Sequence, residues 1–265
     1  MPENVTEWLN LVFRWVHVVA GITWIGHLYF FNWVNAHVAK TYDAESKKKV
    51  VPELMPRALY WFRWGAAWTW ITGILLAGIV YWMSDDVLRG TNPGVNYLGQ
   101  WPTIGIAFAL FIVGFLVYDQ LWKSPLAKNE TVGVAVSFVL VAIATYGLSR
   151  IMGGRSLYIH IGAMFGTFMA ANVWMRIWPA QRKIIGGIAG TGPAPDAAVP
   201  AMAGLRSKHN TYMSVPLVFT MISNHFGTIY GHDLNWLFLL GFIAVGWIVT
   251  KLLYNLSGGA SPKAF

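Results

Sequence analysis

The sequence predicts an all-α protein, a polytopic bundle of about seven transmembrane helices. Of its 265 residues, 56% are hydrophobic and only 11% are charged, and the mean hydropathy is +0.49. Soluble domains carry about 25% charged residues. The apolar residues are also gathered in runs, each close to the ~20 residues that a membrane-spanning helix needs. We therefore expect an integral membrane protein.

Seven apolar runs are the predicted spans of a single transmembrane domain over residues 1–265. The opening residues MPENVTEW lack the basic segment and cleavage site of a signal peptide, so we expect the first run to stay in the mature protein. Trp and Tyr crowd the ends of the runs, which is typical of aromatic belts at the membrane surfaces. The runs are residues 8–36, 58–83, 102–122, 131–149, 156–178, 209–228 and 234–256. The belt residues are Trp61, Trp64, Tyr81, Trp82, Trp101, Tyr118, Trp122, Trp178 and Trp236.

Two connections between the runs are long. Residues 179–208 are rich in Gly, Ala and Pro, which predicts a short interfacial segment, a loop and one helical turn. Residues 84–100 are polar and rich in turn-forming residues, and we expect them on the outer face.

The basic residues predict the orientation of the bundle. Fifteen of the 19 lie on one side of the predicted membrane. The positive-inside rule then places the N-terminus outside and the C-terminus in the cytoplasm. The net charge of +8 is accordingly a topology signal, and we expect no nucleic-acid partner.

The absence of cysteine limits the redox chemistry available to the chain. It excludes disulfides, thiolate-bound iron–sulfur clusters and covalent c-type haem. A redox cofactor must then be held by His, Met, Tyr or carboxylate ligands, or without coordination. Zinc or a di-iron site is disfavoured because carboxylates are missing from the spans.

Histidines inside the apolar runs are the strongest functional signal. His17 and His27 lie in the first run, where no formal charge occurs between Arg14 and Lys40. An ionisable side chain at membrane depth is costly, so it indicates a function by default. We predict that such histidines hold the iron of one or two b-type haems. The predicted ligands are His17, His27, His160, His209 and His225.

The predicted topology sorts these ligands into two levels. His17, His160 and His225 lie in the outer half, whereas His27 and His209 lie in the inner half. The helix rise separates His17 from His27 by about 15 Å, which is of the order needed for two stacked haems. Polar residues nearby are expected to orient the imidazoles or to pair with the haem propionates. The orienting residues are Thr23, Asn172, Ser223 and Asn224, and the propionate partners are Arg150 and Arg155.

The same residues also allow structural interpretations. A histidine near a membrane interface is often only a hydrogen-bonded structural residue, and we assign His37 and His232 to that class. Gly162 and Gly166 form a small-xxx-small pair, which favours close helix packing but also allows a flat macrocycle to approach.

Five segments carry a resemblance to a known family. The blocks H-x-G-A-M and M-I-S-N-H are the most distinctive parts of these segments, which follow one another in order along the chain. On these motifs the sequence resembles the urate oxidase N-terminal domain family, the membrane part of bacterial membrane-bound urate hydroxylases. The segments are EWLNLVFRWVHVVAGITWIG (7–26), YWFRWGAAWTWITG (60–73), IHIGAMFGTFMAANVW (159–174), PAQRKI (179–184) and RSKHNTYMSVPLVFTMISNHFG (206–227).

The resemblance implies a bacterial inner-membrane protein of the urate-oxidising electron-transfer system. In that family a cytochrome c domain follows the membrane domain, and this sequence ends at Phe265 without one. Electrons are then expected to leave to quinone or to a separate cytochrome c. His27 stands where a small residue is expected in the urate-oxidising members, which suggests an extra haem ligand and leaves urate or a related purine as the substrate of a catalytic member.

Three functions follow from these observations. The first is a b-type cytochrome of the bacterial inner membrane that carries electrons between a donor and quinone or a separate cytochrome. The second is an oxidoreductase of the urate hydroxylase type, with Asn224 and Arg155, or Arg182 and Gln181, binding a planar purine. The third is a non-redox membrane subunit whose histidines link helices. The chain is expected to lie in the bilayer as a homo-oligomer or as a subunit of a larger complex.

Overall fold

Helices account for 85% of the residues that the structure describes. The computed structural model describes residues 3–259, and no strand occurs among them. The predicted all-α fold is therefore confirmed. The α-helices are α1 (Glu3–Tyr29), α2 (Ala36–Val38), α3 (Ala44–Ala77), α4 (Asp85–Arg89), α5 (Gln100–Leu121), α6 (Glu130–Ser149), α7 (Gly154–Asn172), α8 (Trp178–Ala189), α9 (Ala198–Ile222), α10 (Gly227–Tyr230) and α11 (Asn235–Gly259).

Among the described residues, five helices are long and apolar enough to cross a membrane. The first two spans include π-helical turns. The first joins α1 to α2 and ends at Val38, and the second extends α3 to Trp82. The predicted spans 156–178 and 209–228 are also largely helical, but their helices are not among the five. The count of seven spans and the orientation stay predictions. The five spans are Asn4–Val38, Ala44–Trp82, Gln100–Leu121, Glu130–Ser149 and Asn235–Gly259.

Helices α3 and α9 begin earlier than the predicted spans. Helix α3 begins at Ala44 and α9 at Ala198, and the connection 179–208 also contains most of α8, which begins at Trp178. The Ala198 amide donates to Asp196 Oδ1 at 2.7 Å, and the Ser46 amide at the start of α3 donates to Asp43 Oδ1 at 2.7 Å. Aspartate oxygens satisfy amides that lack a partner in a first helical turn, so these residues start helices that hydropathy alone does not reveal.

Three π-helical segments interrupt the long helices, at Phe30–Asn35, Gly78–Trp82 and Val173–Ile177. A π turn inserts an extra residue, which changes the direction of the side chains that follow it. Such turns are rare and are often found at functional sites. Hydropathy does not reveal them, and none was predicted.

The chain divides into two compact units. The first unit comprises the residues up to Asn10, Ile74–Phe168 and Pro216–Val245, and the second comprises Leu11–Gly73, Met169–Val215 and the chain from Gly246. The prediction of one domain over 1–265 stays a prediction. The first unit packs around side chains that include Phe111, Leu157, Ile161, Leu239 and Ile243. The second packs around Trp24, Leu28, Phe62, Met169 and Ala203.

The connection 84–100 belongs to the first unit and is only partly a loop. It contains α4, and Tyr97 then donates its hydroxyl to the Asp85 carboxylate. Burial and this carboxylate raise the pKa of Tyr97, so the phenol stays protonated and keeps donating. The bond ties the loop to the start of α4.

Candidate functional site

His17 is oriented by a threonine on α3. Its Nδ1 lies 3.1 Å from Thr72 Oγ1, and that hydroxyl donates to the Trp68 carbonyl at 2.6 Å. The hydroxyl therefore accepts from Nδ1–H, with the Thr69 carbonyl as a second acceptor, and the lone pair of the imidazole lies on Nε2. A Cβ added at Gly73 would lie only 3.1 Å from His17 Cε1, so this glycine lets the ring lie close against α3.

Two further predicted ligands have the same tautomer. His27 Nδ1–H donates to the Thr23 carbonyl at 2.7 Å, and His160 Nδ1–H donates to the Ser156 carbonyl at 2.7 Å. Each acceptor lies four residues earlier in the same helix. A bonded Nδ1–H with the lone pair on Nε2 is the arrangement by which proteins orient a metal-binding imidazole. Thr23 thus plays its predicted part through its carbonyl.

The environment of His160 differs from that of the other two. His160 is 1% exposed, and its Nε2 accepts a hydrogen bond from Trp82 Nε1 at 3.0 Å. The Phe111 ring stacks beside it at 6.4 Å between centroids. The lone pair that would bind iron already accepts from the indole, so coordination by His160 requires Trp82 to move away.

The π-helical segment Gly78–Trp82 explains how two consecutive residues reach this histidine. The ring centroids of Tyr81 and Trp82 lie 6.0 and 6.3 Å from that of His160. Our interpretation of Tyr81 as a belt residue was wrong, because its side chain is 5% exposed and faces the interior of the first unit. Apolar periodicity carries no signal for a π turn, which is why the pairing was missed.

A polar group that we call the Asn224 cluster, formed by Tyr81, Arg155 and Asn224, lies in the same unit. Tyr81 Oη donates to Asn224 Oδ1 at 2.8 Å, and Arg155 Nε donates to the same oxygen at 3.3 Å. The Arg155 guanidinium also lies over the Tyr81 ring, 5.7 Å from its centroid. Asn224, predicted to orient a histidine, instead bonds arginine and tyrosine. The arrangement offers guanidinium and amide donors beside an aromatic face.

Of the other predicted residues of the first unit, His225 and Arg150 are exposed, whereas Ser223 is buried. His225 lies in the short 3₁₀ turn Ser223–His225, and Arg150 follows the end of α6 with its guanidinium against Gly94. Ser223, predicted to orient an imidazole, donates instead to the Thr220 carbonyl.

In the second unit, Asn172 forms a hydrogen bond with Asn210, the residue that follows the predicted ligand His209. Its Nδ2 donates to Asn210 Oδ1 at 2.9 Å, and Asn210 Nδ2 donates to the Met169 carbonyl at 3.0 Å. The adjoining His209 is half-buried. Arg206, one turn earlier in α9, is 1% exposed, and we had read it only as a topology signal.

Two histidines have the structural surroundings that we predicted for them. His37 Nε2 lies 3.3 Å from Ser257 Oγ, and His232 Nδ1 accepts from the Leu234 amide at 3.0 Å. Within residues 3–259 no group of three or more His, Cys, Asp or Glu side chains is placed to hold a metal ion. A haem iron, by contrast, needs only one or two protein ligands.

Replacing Trp82 by phenylalanine tests the bond between Trp82 and His160. The variant leaves the buried His160 Nε2 without its donor, and we expect the free energy of unfolding to fall by about 1–3 kcal/mol. Thermal unfolding in detergent measures the change. Trp101→Phe is the control, because Trp101 is 77% exposed. Equal stability of the two variants would show that the indole bond contributes nothing.

Comparison with known proteins identifies the chain. The model of the family described as Urate oxidase N-terminal matches residues 3–49 and 41–264. No curated protein and no solved structure matches the chain. The family match covers nearly the whole sequence and confirms the resemblance carried by the five segments. The chain belongs to the urate oxidase N-terminal family and is a membrane protein related to the urate hydroxylases.

Proposed function

We propose that this chain is a b-type haem protein that carries electrons between a donor and quinone or a separate cytochrome. The observation that carries the proposal is the environment of His17. Thr72 fixes its tautomer, and the missing side chain of Gly73 leaves space for the ring. Nε2 then carries the lone pair that can coordinate iron. His27 has the same tautomer. When bound, haem would supply one-electron redox chemistry at a potential set by axial ligands and burial.

In this function the protein's own residues hold and orient the imidazoles. Thr72 keeps Nδ1 protonated, so that His17 presents a neutral imidazole with a defined direction. His27, ten positions further along α1, repeats the arrangement through its own helix, which supports a second site at another depth. Family membership supports a redox setting, because the family is described as Urate oxidase N-terminal.

Pigment analysis tests the proposal directly. The purified full chain should give a b-type α-band in a reduced-minus-oxidised spectrum, and a pyridine haemochrome assay should return one or two haems per chain. Colourless protein, purified from cells supplied with haem precursor, would overturn the proposal and leave the non-redox subunit.

Replacing Thr72 by valine tests how His17 is oriented. Valine has the same shape but cannot accept from Nδ1–H, and loss of such an outer partner typically weakens metal binding by about 10- to 100-fold. We expect haem to be lost at correspondingly lower concentrations of a competing apo-globin. Thr69→Val is the matched control, because the Thr69 hydroxyl donates only within α3, to the Gly65 carbonyl. Equal retention by the two variants would show that Thr72 does not support the ligand.

A second candidate function is oxidation of a purine, and the Asn224 cluster favours it. A planar, electron-rich purine can accept from the Arg155 guanidinium, which together with the Tyr81 hydroxyl already converges on Asn224 Oδ1. Arg182 and Gln181 on α8 are the alternative that we predicted from sequence. Urate-dependent reduction of a dye by the wild type, abolished in Asn224→Ala, would support this function. Dye reduction that does not depend on urate would contradict purine oxidation and leave electron transfer as the proposed function.

A further inference from the structure

Arg63 in α3 lies in an aromatic slot. Its guanidinium carbon is 4.1 Å from the centroid of the Trp178 ring, 5.8 Å from Trp174 and 5.7 Å from Tyr60. Its Nε is buried and has no hydrogen-bond partner in the described part of the chain. A guanidinium stacked in this way keeps its charge and its planar donor edge.

Two further cations lie on α8, the helix that begins with Trp178. Arg182 follows Trp178 by four positions in α8, so both occupy one face of that helix. Arg182 and Lys183 are exposed and, together with Pro179, line an open cavity of about 410 Å³. Across residues 3–259, neither Arg63 nor these two residues forms an ion pair with an acidic side chain.

The arrangement favours an anion. Arg182 and Lys183 are adjacent positive charges, and within residues 3–259 no carboxylate pairs with them, so an anionic ligand is attracted to them. The site also lies where a predicted span ends in tryptophan, which is typical of the membrane surface. Ile184 and Ile185, both half-buried, continue the same helix with apolar surface. A ligand that joins a phosphate to acyl chains matches both properties.

We propose that Arg182 and Lys183, on the helix whose Trp178 ring stacks with Arg63, bind the phosphodiester headgroup of an anionic phospholipid. Arginine and lysine both donate charge-assisted hydrogen bonds to phosphate oxygens. Basic pockets between membrane helices are known to hold anionic headgroups. The site occupies the second unit and does not depend on haem.

Titration of the purified full chain with phosphatidylglycerol in detergent tests the proposal, with the unfolding temperature as the measurement. We expect stabilisation that saturates with phosphatidylglycerol and is absent with phosphatidylcholine. The double variant Arg182→Gln/Lys183→Gln should bind roughly 30-fold more weakly. Each basic residue near an anionic lipid contributes about 1 kcal/mol, and the loss of two such contributions corresponds to that factor. The unfolding temperature without lipid should be unchanged, since both side chains are exposed.

The matched control is Lys47→Gln/Lys48→Gln, which removes two exposed positive charges elsewhere in the second unit. We expect its lipid affinity to match that of the wild type. An equal loss in this control would overturn the proposal in favour of general charge attraction. Equal stabilisation by inorganic phosphate would overturn the assignment to a lipid, and equal stabilisation by phosphatidylcholine would overturn the recognition of charge.

Discussion

Replacing His17 by alanine is expected to abolish the b-type absorbance of the haem held through that residue. Alanine offers no lone pair, and Thr72 and Gly73 cannot replace it as ligands. The protein should still insert, because the hydropathy of the span Asn4–Val38 does not depend on one histidine. The measurement is haem per chain by pyridine haemochrome after detergent purification.

The control for this prediction is His37→Ala. His37 lies in the same span but faces Ser257 through its Nε2 and has the surroundings of a structural residue. It should retain the full haem content. Unchanged pigment in His17→Ala would rule out His17 as an essential ligand. His160→Ala extends the comparison, because its Nε2 already accepts from Trp82, and loss of pigment there would mean that the indole moves on haem binding.

Replacing Gly162 by alanine is expected to lower the free energy of unfolding by about 3 kcal/mol, at the upper end of what overpacking a core usually costs. An added Cβ would lie 2.1 Å from Thr220 Oγ1 and 3.0 Å from Thr220 Cβ. The Thr220 hydroxyl donates to the Leu217 carbonyl, so it cannot rotate away without losing that bond. Thermal unfolding in detergent measures the loss.

Gly241→Ala is the matched control, because no atom lies within 4 Å of the added Cβ. Alanine is also the better helix former, so this variant should be at least as stable as the wild type. Equal stability of the two variants would show that α7 and α9 do not approach closely at Gly162. Gly166 has the same packing environment, since Leu217 lies 3.3 Å from a Cβ added there, and the approach of a flat macrocycle stays a prediction.

The helices were predictable where burial in lipid alone selects the residues. The run 102–122 corresponds to α5 and the run 131–149 to α6 within a few residues, because uninterrupted apolar sequence fixes a span whatever its neighbours are. The starts of α3 and α9 were missed for the opposite reason. They are polar, and Asp43 and Asp196 start them through local hydrogen bonds rather than through hydropathy.

The candidate site was predictable only in part. His17, His27 and His160 were identified as costly imidazoles in apolar helices, and this needs only the sequence. Their partners were not identified, since Thr72 lies 55 positions from His17 and Trp82 lies 78 positions from His160. No periodicity within one helix specifies which residue of another helix it will meet.

The sequence by itself determined the membrane class, the helical fold, the family and the histidines that demand an explanation. Those properties follow from the free energy of transferring each residue into lipid and from contiguous motifs. Only the tertiary structure decided which imidazole nitrogen carries its proton and that Tyr81 is buried. It alone also placed Arg63 on the Trp178 ring. The physical reason is that hydrogen bonds and ring contacts require atoms within a few ångströms, and that proximity arises only when distant segments pack together.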